Sequence, residues 1–215
     1  KCGDVALIHN GIIENYHELV TEYDLGDNLR SETDTEVAAA LFNKFYNGEN
    51  AVEAIRKAVA LLKGSFAFCI LFRQEPGVIY AVRNVSPMVA AVSDEGSFVA
   101  SDLTAFIEYS KKYFVVPEYT IMTMRTDGIE LQDLNGNAVT PEILEVNWDV
   151  ADAQKEGYPT FMEKEINEQP KAISLTITPR IQNGLPYFAD DNIPEDFFEN
   201  VSDITIIGCG TAMYA

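Results

Sequence analysis

An amide followed by a glycine, Asn10-Gly11 in the run Ile8-His9-Asn10-Gly11-Ile12-Ile13-Glu14-Asn15, is the pair in this chain best suited to hold a developing oxyanion. The Asn side chain can donate an N–H, and a glycine leaves its own N–H open to close approach by a ligand. Asn-Gly is equally ordinary turn chemistry. The second candidate is the acidic run Ser31-Glu32-Thr33-Asp34-Thr35-Glu36. Thr33 with Glu36 three residues on reads as a capping box, and Asp34 in the first turn complements the helix dipole. In the functional reading, a carboxylate here captures an ammonium group such as the α-amine of an amino acid. The third is Gly208-Cys209-Gly210-Thr211 after an apolar run. Backbone N–H groups at such a strand-to-helix turn can cradle a phosphate. The turn lacks the Lys of a P-loop and the spacing of a dinucleotide fingerprint. Cys2-Gly3 is rejected as a nucleophile, because Lys1 precedes it and no free α-amine adjoins the thiol.

The elements that must position these groups are legible from periodicity. Val5-Ala6-Leu7-Ile8 predicts a strand that ends at Asn10-Gly11, followed by a helix from Glu14 to Tyr23. A second helix opens at Thr33 and carries Val37, Leu41 and Phe45 on one face. A third runs from about Asn50 to Lys63, with Gly64 as its stop. Residues 65 to 73 are almost continuously apolar and predict a strand buried on both faces. Further strands are expected at Val78–Val82, Met88–Val92, Phe98–Ala100 and Ile121–Met124, with a hairpin-like Ile129–Leu134 turning at Asn135-Gly136-Asn137. A short helix is expected near Leu103–Ser110. Polar, acidic residues from Val139 to Pro159 read as a linker, and a helix over Phe161–Ile173 follows despite Pro170. The run Asp203-Ile204-Thr205-Ile206-Ile207 predicts a last strand. Helices outside and sheets inside make a layered α+β sandwich the natural architecture.

Composition narrows the partners. Of 215 residues, 34 are acidic and 15 basic, a net charge of −19 that argues against nucleic acid or an anionic membrane. Hydrophobic residues make up 47% of the chain, enough for a real core. The three cysteines, Cys2, Cys69 and Cys209, are far apart and suit a reducing, cytoplasmic setting. With only His9 and His17 and no Cys pair at ligand spacing, no zinc site is expected. No signal peptide or apolar span of membrane length is visible.

Taken together, His9 to Asn15, Ser31 to Val37, Ser86-Pro87-Met88, Ala100-Ser101-Asp102, Glu163-Lys164-Glu165-Ile166-Asn167-Glu168-Gln169-Pro170 and Gly208 to Thr211 resemble, in order and spacing, the glutamine:fructose-6-phosphate amidotransferase family. The first two motifs fit class II glutamine amidotransferases more broadly; the last two are more specific. The resemblance implies a four-layer αββα sandwich of the N-terminal-nucleophile hydrolase type, incomplete here, over residues 1–138. A linker and linking helix over 139–194 would follow, and then, over 195–215, the first strand of an α/β sugar isomerase (SIS) domain. It implies glutamine hydrolysis by a cysteine thiolate, ammonia channelled to fructose 6-phosphate, no cofactor and a homodimer. Asn10 and Gly11 would form the oxyanion hole and Asp34 would bind the glutamine α-ammonium. Cys209, Gly210 and Thr211 would edge the sugar-phosphate site. Ala212 stands where the family has Ser, which removes one hydroxyl donor. The family's N-terminal Cys and carboxylate-binding Arg segment have no counterpart in this chain, so an internal fragment without glutaminase activity of its own is expected. Another class II amidotransferase, or a non-catalytic sugar-phosphate-sensing module of the same fold, are the alternatives.

Overall fold

The computed structural model describes residues 1–46, 48, 50–146, 156–188, 191, 193–194, 196–197, 199 and 201–208. They fall in two compact units, Lys1–Ala153 and Gln154–Ala215. Cys209, Gly210, Thr211 and Ala212 lie outside the described residues.

In the first unit, strand β1 (Val5–Ile13) leads into helices α1 (Tyr16–Glu22), α2 (Asp34–Phe45) and α3 (Ala51–Val59). Strands β2 (Gly64–Phe72), β3 (Ile79–Asn84), β4 (Val89–Ser93), β5 (Gly96–Ala100), β6 (Lys112–Val115), β7 (Thr120–Arg125), β8 (Gly128–Asp133) and β9 (Leu144–Glu145) follow. They form a five-stranded sheet, β1-β2-β3-β7-β8, and a four-stranded sheet, β5-β4-β6-β9. Every pairing is antiparallel.

Period-2 alternation sorts the first sheet into two cores. Phe66, Phe68, Ile70 and Phe72 of β2 face the helices and pack with Leu41, Phe42, Ile55 and Val59. The opposite face supplies Ala67, Ala81, Met122 and Met124 to a second core with Ala90 and Phe114 of the second sheet. Three layers result, helices on sheet on sheet. On the far side of the second sheet Phe98 packs against Phe106 and Tyr109.

Several elements differ from expectation. β1 does not end at Asn10-Gly11 but runs on to Ile13, because β2 pairs with it through Gly64. β2 is fully buried on its helix face, whereas on the other face burial fades along the strand, from buried Ala67 through intermediate Cys69 to half-exposed Leu71. α3 stops at Val59 rather than Lys63, where Asn15 takes over the turn: its Nδ2 donates to the Leu61 carbonyl and its Oδ1 accepts from Lys63 N–H, both at 2.9 Å. Around Leu103–Ser110 only a 3₁₀ turn, Leu103–Ala105, forms, capped by Asp102. β6 is an addition, and so is β9, which lies in the stretch read as linker.

Val85, between β3 and Ser86-Pro87-Met88, has φ +62°, a left-handed conformation that a β-branched side chain disfavours. Its side chain is exposed, so nothing packs it into place. The backbone is held instead: Glu118 Oε1 accepts from Val85 N–H at 3.2 Å, and Arg83 Nη1 donates to the Val85 and Ser86 carbonyls at 3.3 Å each. Val85→Gly is therefore expected to raise unfolding stability by about 1 kcal/mol, the released strain outweighing the added chain entropy. An unchanged or lower midpoint in urea would show that the strain is absent.

In the second unit, helix α4 (Phe161–Ile177) extends beyond the expected Ile173 and accommodates Pro170 in its interior. Thr160 caps it, accepting from Glu163 N–H at 3.2 Å. Lys164 is nearly fully buried, with Nζ 3.0 Å from Glu156 and 3.8 Å from Glu168. A 3₁₀ turn (Thr178–Arg180) and a short hairpin of β10 (Ile181–Gln182) and β11 (Leu185–Pro186) follow. The run Asp203–Ile207 is not a strand, and Ile206 and Ile207 are about nine-tenths exposed. A parallel strand exists only through its ladder partners, and no described residue pairs with it.

Candidate active site

Among the described residues β1 lies at one end of its sheet, and its ladder decides where its backbone donors point. Arg73 N–H donates to the Asp4 carbonyl and Glu14 N–H to the Lys63 carbonyl, both at 2.9 Å, bracketing the pairing with β2. In antiparallel pairs hydrogen-bonded and non-hydrogen-bonded positions alternate. Even-numbered residues of β1 thus bond to β2, while the N–H groups of His9, Gly11 and Ile13 face the open edge. Ile13 N–H confirms the direction, since it donates to Asp34 Oδ2 at 2.8 Å.

Gly11 has φ +137°, and a Cβ built there would meet the Ser65 carbonyl oxygen at 2.0 Å. Gly64, across the ladder, has the same relation to the Ile12 carbonyl at 2.3 Å. The two glycines let the strands cross closely at this point. Gly11 is thus required by its own strand pair, whatever ligand its N–H meets.

Asn10 is exposed, and its side chain, like those of Ile8 and Ala67, projects to the inter-sheet side. There a cavity of about 420 Å³ is lined by Asn10, Ile8, Cys69, Pro87, Met88 and Ser101, among others. The Ser86-Pro87-Met88 and Ala100-Ser101-Asp102 motifs therefore reach the same place as Asn10. Ser86 Oγ lies 2.7 Å from Ser65 Oγ, tying the bend to the strand beside Gly11.

Asp34 is the first residue of α2, which packs on β1. Half of the expected capping box forms: Thr33 Oγ1 accepts from Glu36 N–H at 3.3 Å. The Glu36 carboxylate instead accepts from Arg30 N–H at 3.0 Å, Ser31 N–H at 2.6 Å and Ser31 Oγ at 2.7 Å, bonds that hold it below the usual carboxylate range. Glu36 thereby orders the loop before the helix, and Asp34 is left to face β1. Asp34 does not line the Asn10 cavity; it sits at the Ile13 end of the strand edge, and the open edge of β1 is what joins the two.

His9, Thr35, Asn15 and Ser65 complete the surroundings and escape a motif-based reading. His9 falls in the same alternation set as Val5, Leu7 and Ile13, a parity that marks it as inward-facing. Its ring stacks on Phe68 at 4.6 Å, and Nδ1 lies 3.0 Å from Thr35 Oγ1. Burial pushes the imidazole below its ordinary value, against the opposing pull of Asp34 at 3.9 Å, so the ring is neutral near pH 7. Cys2 is buried and its thiol is pushed up, first by burial and then by Glu36, the reverse of an activated nucleophile. Burial likewise raises Cys69. Among the described residues no cluster of three or more His, Cys, Asp or Glu could hold a metal. No described helix is long and apolar enough to cross a membrane.

The first strand thus offers a side-chain amide and an outward backbone N–H, with a carboxylate on the adjoining helix. Residues 1–108 match the glutamine amidotransferase domain family, and the chain belongs to it. The fold agrees: the solved glutamine phosphoribosylpyrophosphate amidotransferase of B. subtilis superimposes with a TM-score of 0.51 at 22% identity, over 62% of this chain and 30% of that one. In sequence the chain is similar to glutamine--fructose-6-phosphate aminotransferase [isomerizing] of Clostridium acetobutylicum, 39% identical over 217 residues, all of this chain and 36% of that protein. The enzyme of the same name from Thermotoga maritima is 36% identical over 214 residues, 99% of this chain and 35% of the relative. The chain thus spans little more than a third of the length of these relatives.

Proposed function

We propose that the chain is the part of an isomerizing glutamine:fructose-6-phosphate aminotransferase that joins its glutaminase to its sugar-binding half. The observation that carries this is the extent of the likeness: relatives of that name align over the whole chain, beyond the amidotransferase match at residue 108. In this reading residues 1–138 belong to a four-layer N-terminal-nucleophile glutaminase, 139–194 link it to the second half, and 195–215 begin a sugar isomerase domain. The full-length protein is then a cytoplasmic homodimer.

The chemistry follows from the open edge of β1. A cysteine thiolate of the full-length enzyme adds to the glutamine carboxamide carbon, and the C=O π electrons move to oxygen. Asn10 Nδ2–H and the outward Gly11 N–H donate to that oxyanion. As the tetrahedral adduct collapses, C–N cleavage releases ammonia once the nitrogen is protonated, and water then frees glutamate from the thioester. Asp34 accepts from the glutamine α-ammonium with lone pairs that Ile13 N–H leaves unused. The ammonia is delivered to fructose 6-phosphate to give glucosamine 6-phosphate. Cys209, Gly210 and Thr211 supply the first edge of the phosphate site for that sugar.

Asp34 provides the test, since an ammonium contact made equally in ground and transition states acts on binding. Asp34→Ala in the full-length protein is expected to raise the KM for glutamine roughly 10²-fold with kcat little changed. Glutamine hydrolysis with wild-type KM would remove Asp34 from the site.

A further inference from the structure

His9 makes a contact that the oxyanion chemistry does not use. Its side chain is 1% exposed, its Nδ1 lies 3.0 Å from Thr35 Oγ1, and its Nε2 is buried with no hydrogen-bond partner among the described residues. Thr35 Oγ1 is in turn 3.3 Å from Asp34 Oδ1. The direct separation of His9 Nδ1 from Asp34 Oδ1, 3.9 Å, is too long for a hydrogen bond. The hydroxyl therefore stands between the ring and the carboxylate.

A neutral imidazole carries one ring proton, and the two tautomers have different consequences here. With the proton on Nε2, a buried donor is orphaned, and the Thr35 hydroxyl has to spend its single hydrogen on Nδ1, leaving Asp34 Oδ1 without a donor. With the proton on Nδ1, His9 donates to Thr35 Oγ1, Thr35 donates to Asp34 Oδ1, and the only unmatched atom is an acceptor. Orphaned buried N–H groups are the rarer of the two defects. Both hydrogens then find acceptors, and both Asp34 oxygens are held, Oδ2 by Ile13 N–H and Oδ1 by Thr35.

We infer that His9, in its Nδ1–H tautomer, positions the Asp34 carboxylate for the substrate ammonium through the Thr35 hydroxyl. The inference rests on the proposed role of Asp34, and it makes His9 a positioning residue without contact to the reacting atoms. Phe68 holds the imidazole plane by stacking, and the one-residue offset between His9 and Asn10 puts the two side chains on opposite faces of β1. One strand thereby serves both ends of an amino-acid substrate, with the oxyanion donors at 10 and 11 and, through His9, the ammonium acceptor.

Glutamine kinetics of the full-length protein and the imidazole ¹H–¹⁵N spectrum together test this. Thr35→Val keeps the shape and removes the hydroxyl; it is expected to raise the KM for glutamine roughly five- to tenfold with kcat nearly unchanged, and Thr35→Ser to restore it. His9→Asn, whose amide N–H can occupy the Nδ1 position, should keep KM closer to wild type than His9→Gln, whose amide reaches toward Nε2. The spectrum of the unsubstituted protein should show the proton on Nδ1 of His9. A proton on Nε2, or a wild-type KM in Thr35→Val while Asp34→Ala raises it, would overturn the relay. Asp34→Ala with unchanged KM would overturn the ammonium role instead, and the spectrum would still report the tautomer.

Discussion

Asn10→Ala is expected to lower kcat for glutamine hydrolysis by roughly 10² to 10³ while KM stays near its original value, because an oxyanion donor acts on charge that exists only in the transition state. The structure makes this substitution a clean probe. Asn10 is exposed, and no side-chain hydrogen bond ties it to the rest of the protein among those described, so the fold has little to lose. Its backbone bonds to β2 at Ala67 and does not depend on the side chain. Steady-state kinetics beside a urea titration separate the two effects. A kcat within threefold of wild type, with intact stability, would take Asn10 out of the oxyanion hole.

The neighbouring substitution is expected to act on the fold instead. Gly11→Ala puts a Cβ 2.0 Å from the Ser65 carbonyl oxygen at a backbone φ of +137° that alanine disfavours. The obstacle is backbone in the middle of the β1–β2 ladder and cannot swing aside. Relief requires separating two strands whose helix-side residues form the main core, so a loss of stability on the order of 3 kcal/mol is expected. The urea midpoint should fall accordingly, and activity should fall with it. Lost activity in this variant says nothing about the Gly11 N–H as an oxyanion donor. A Gly11→Ala protein with wild-type stability would show that the two strands do not approach this closely.

These two adjacent residues show how far a motif can be read. The sequence presents Asn10-Gly11 as an amide next to an accessible N–H, with a turn as the local alternative. The structure contains neither a turn nor the end of a strand there, since pairing with β2 carries β1 on to Ile13. Gly11 meets a backbone requirement that no count of residues along the chain reveals, because Ser65 is 54 positions away and arrives only through the three helices between. His9 lies inside the same run, and its parity with Val5 and Ile13 points it inward.

The acidic loop divides the same way. Thr33 as cap of α2 depends on the residue three places on, and it formed as the local pattern specifies. The return contact of the capping box did not, since Glu36 found two backbone N–H groups and a hydroxyl in the preceding loop. Where Ser86-Pro87-Met88 and Ala100-Ser101-Asp102 belong was unreadable in isolation, and packing of the second sheet brings Pro87, Met88 and Ser101 beside Asn10.

Contacts within a few residues, such as caps, alternating apolar positions and the chemical types of the donors and acceptors, cost little chain entropy to form and are written directly in the order of residues. They mark α1 to α4 and most strands, and single out Asn10 and Asp34 as candidates, but not the helix expected near Leu103–Ser110, where only a 3₁₀ turn forms. The direction of the Gly11 N–H, the seat of Asp34 against Ile13 and the Thr35 link to His9 follow from ladder alternation and helix docking. The run Asp203–Ile207 marks the other limit: its composition is that of a strand, and among the described residues no segment pairs with it. Strand identity, unlike a helical turn, is a property of pairs of segments, so it passes to the tertiary structure to decide.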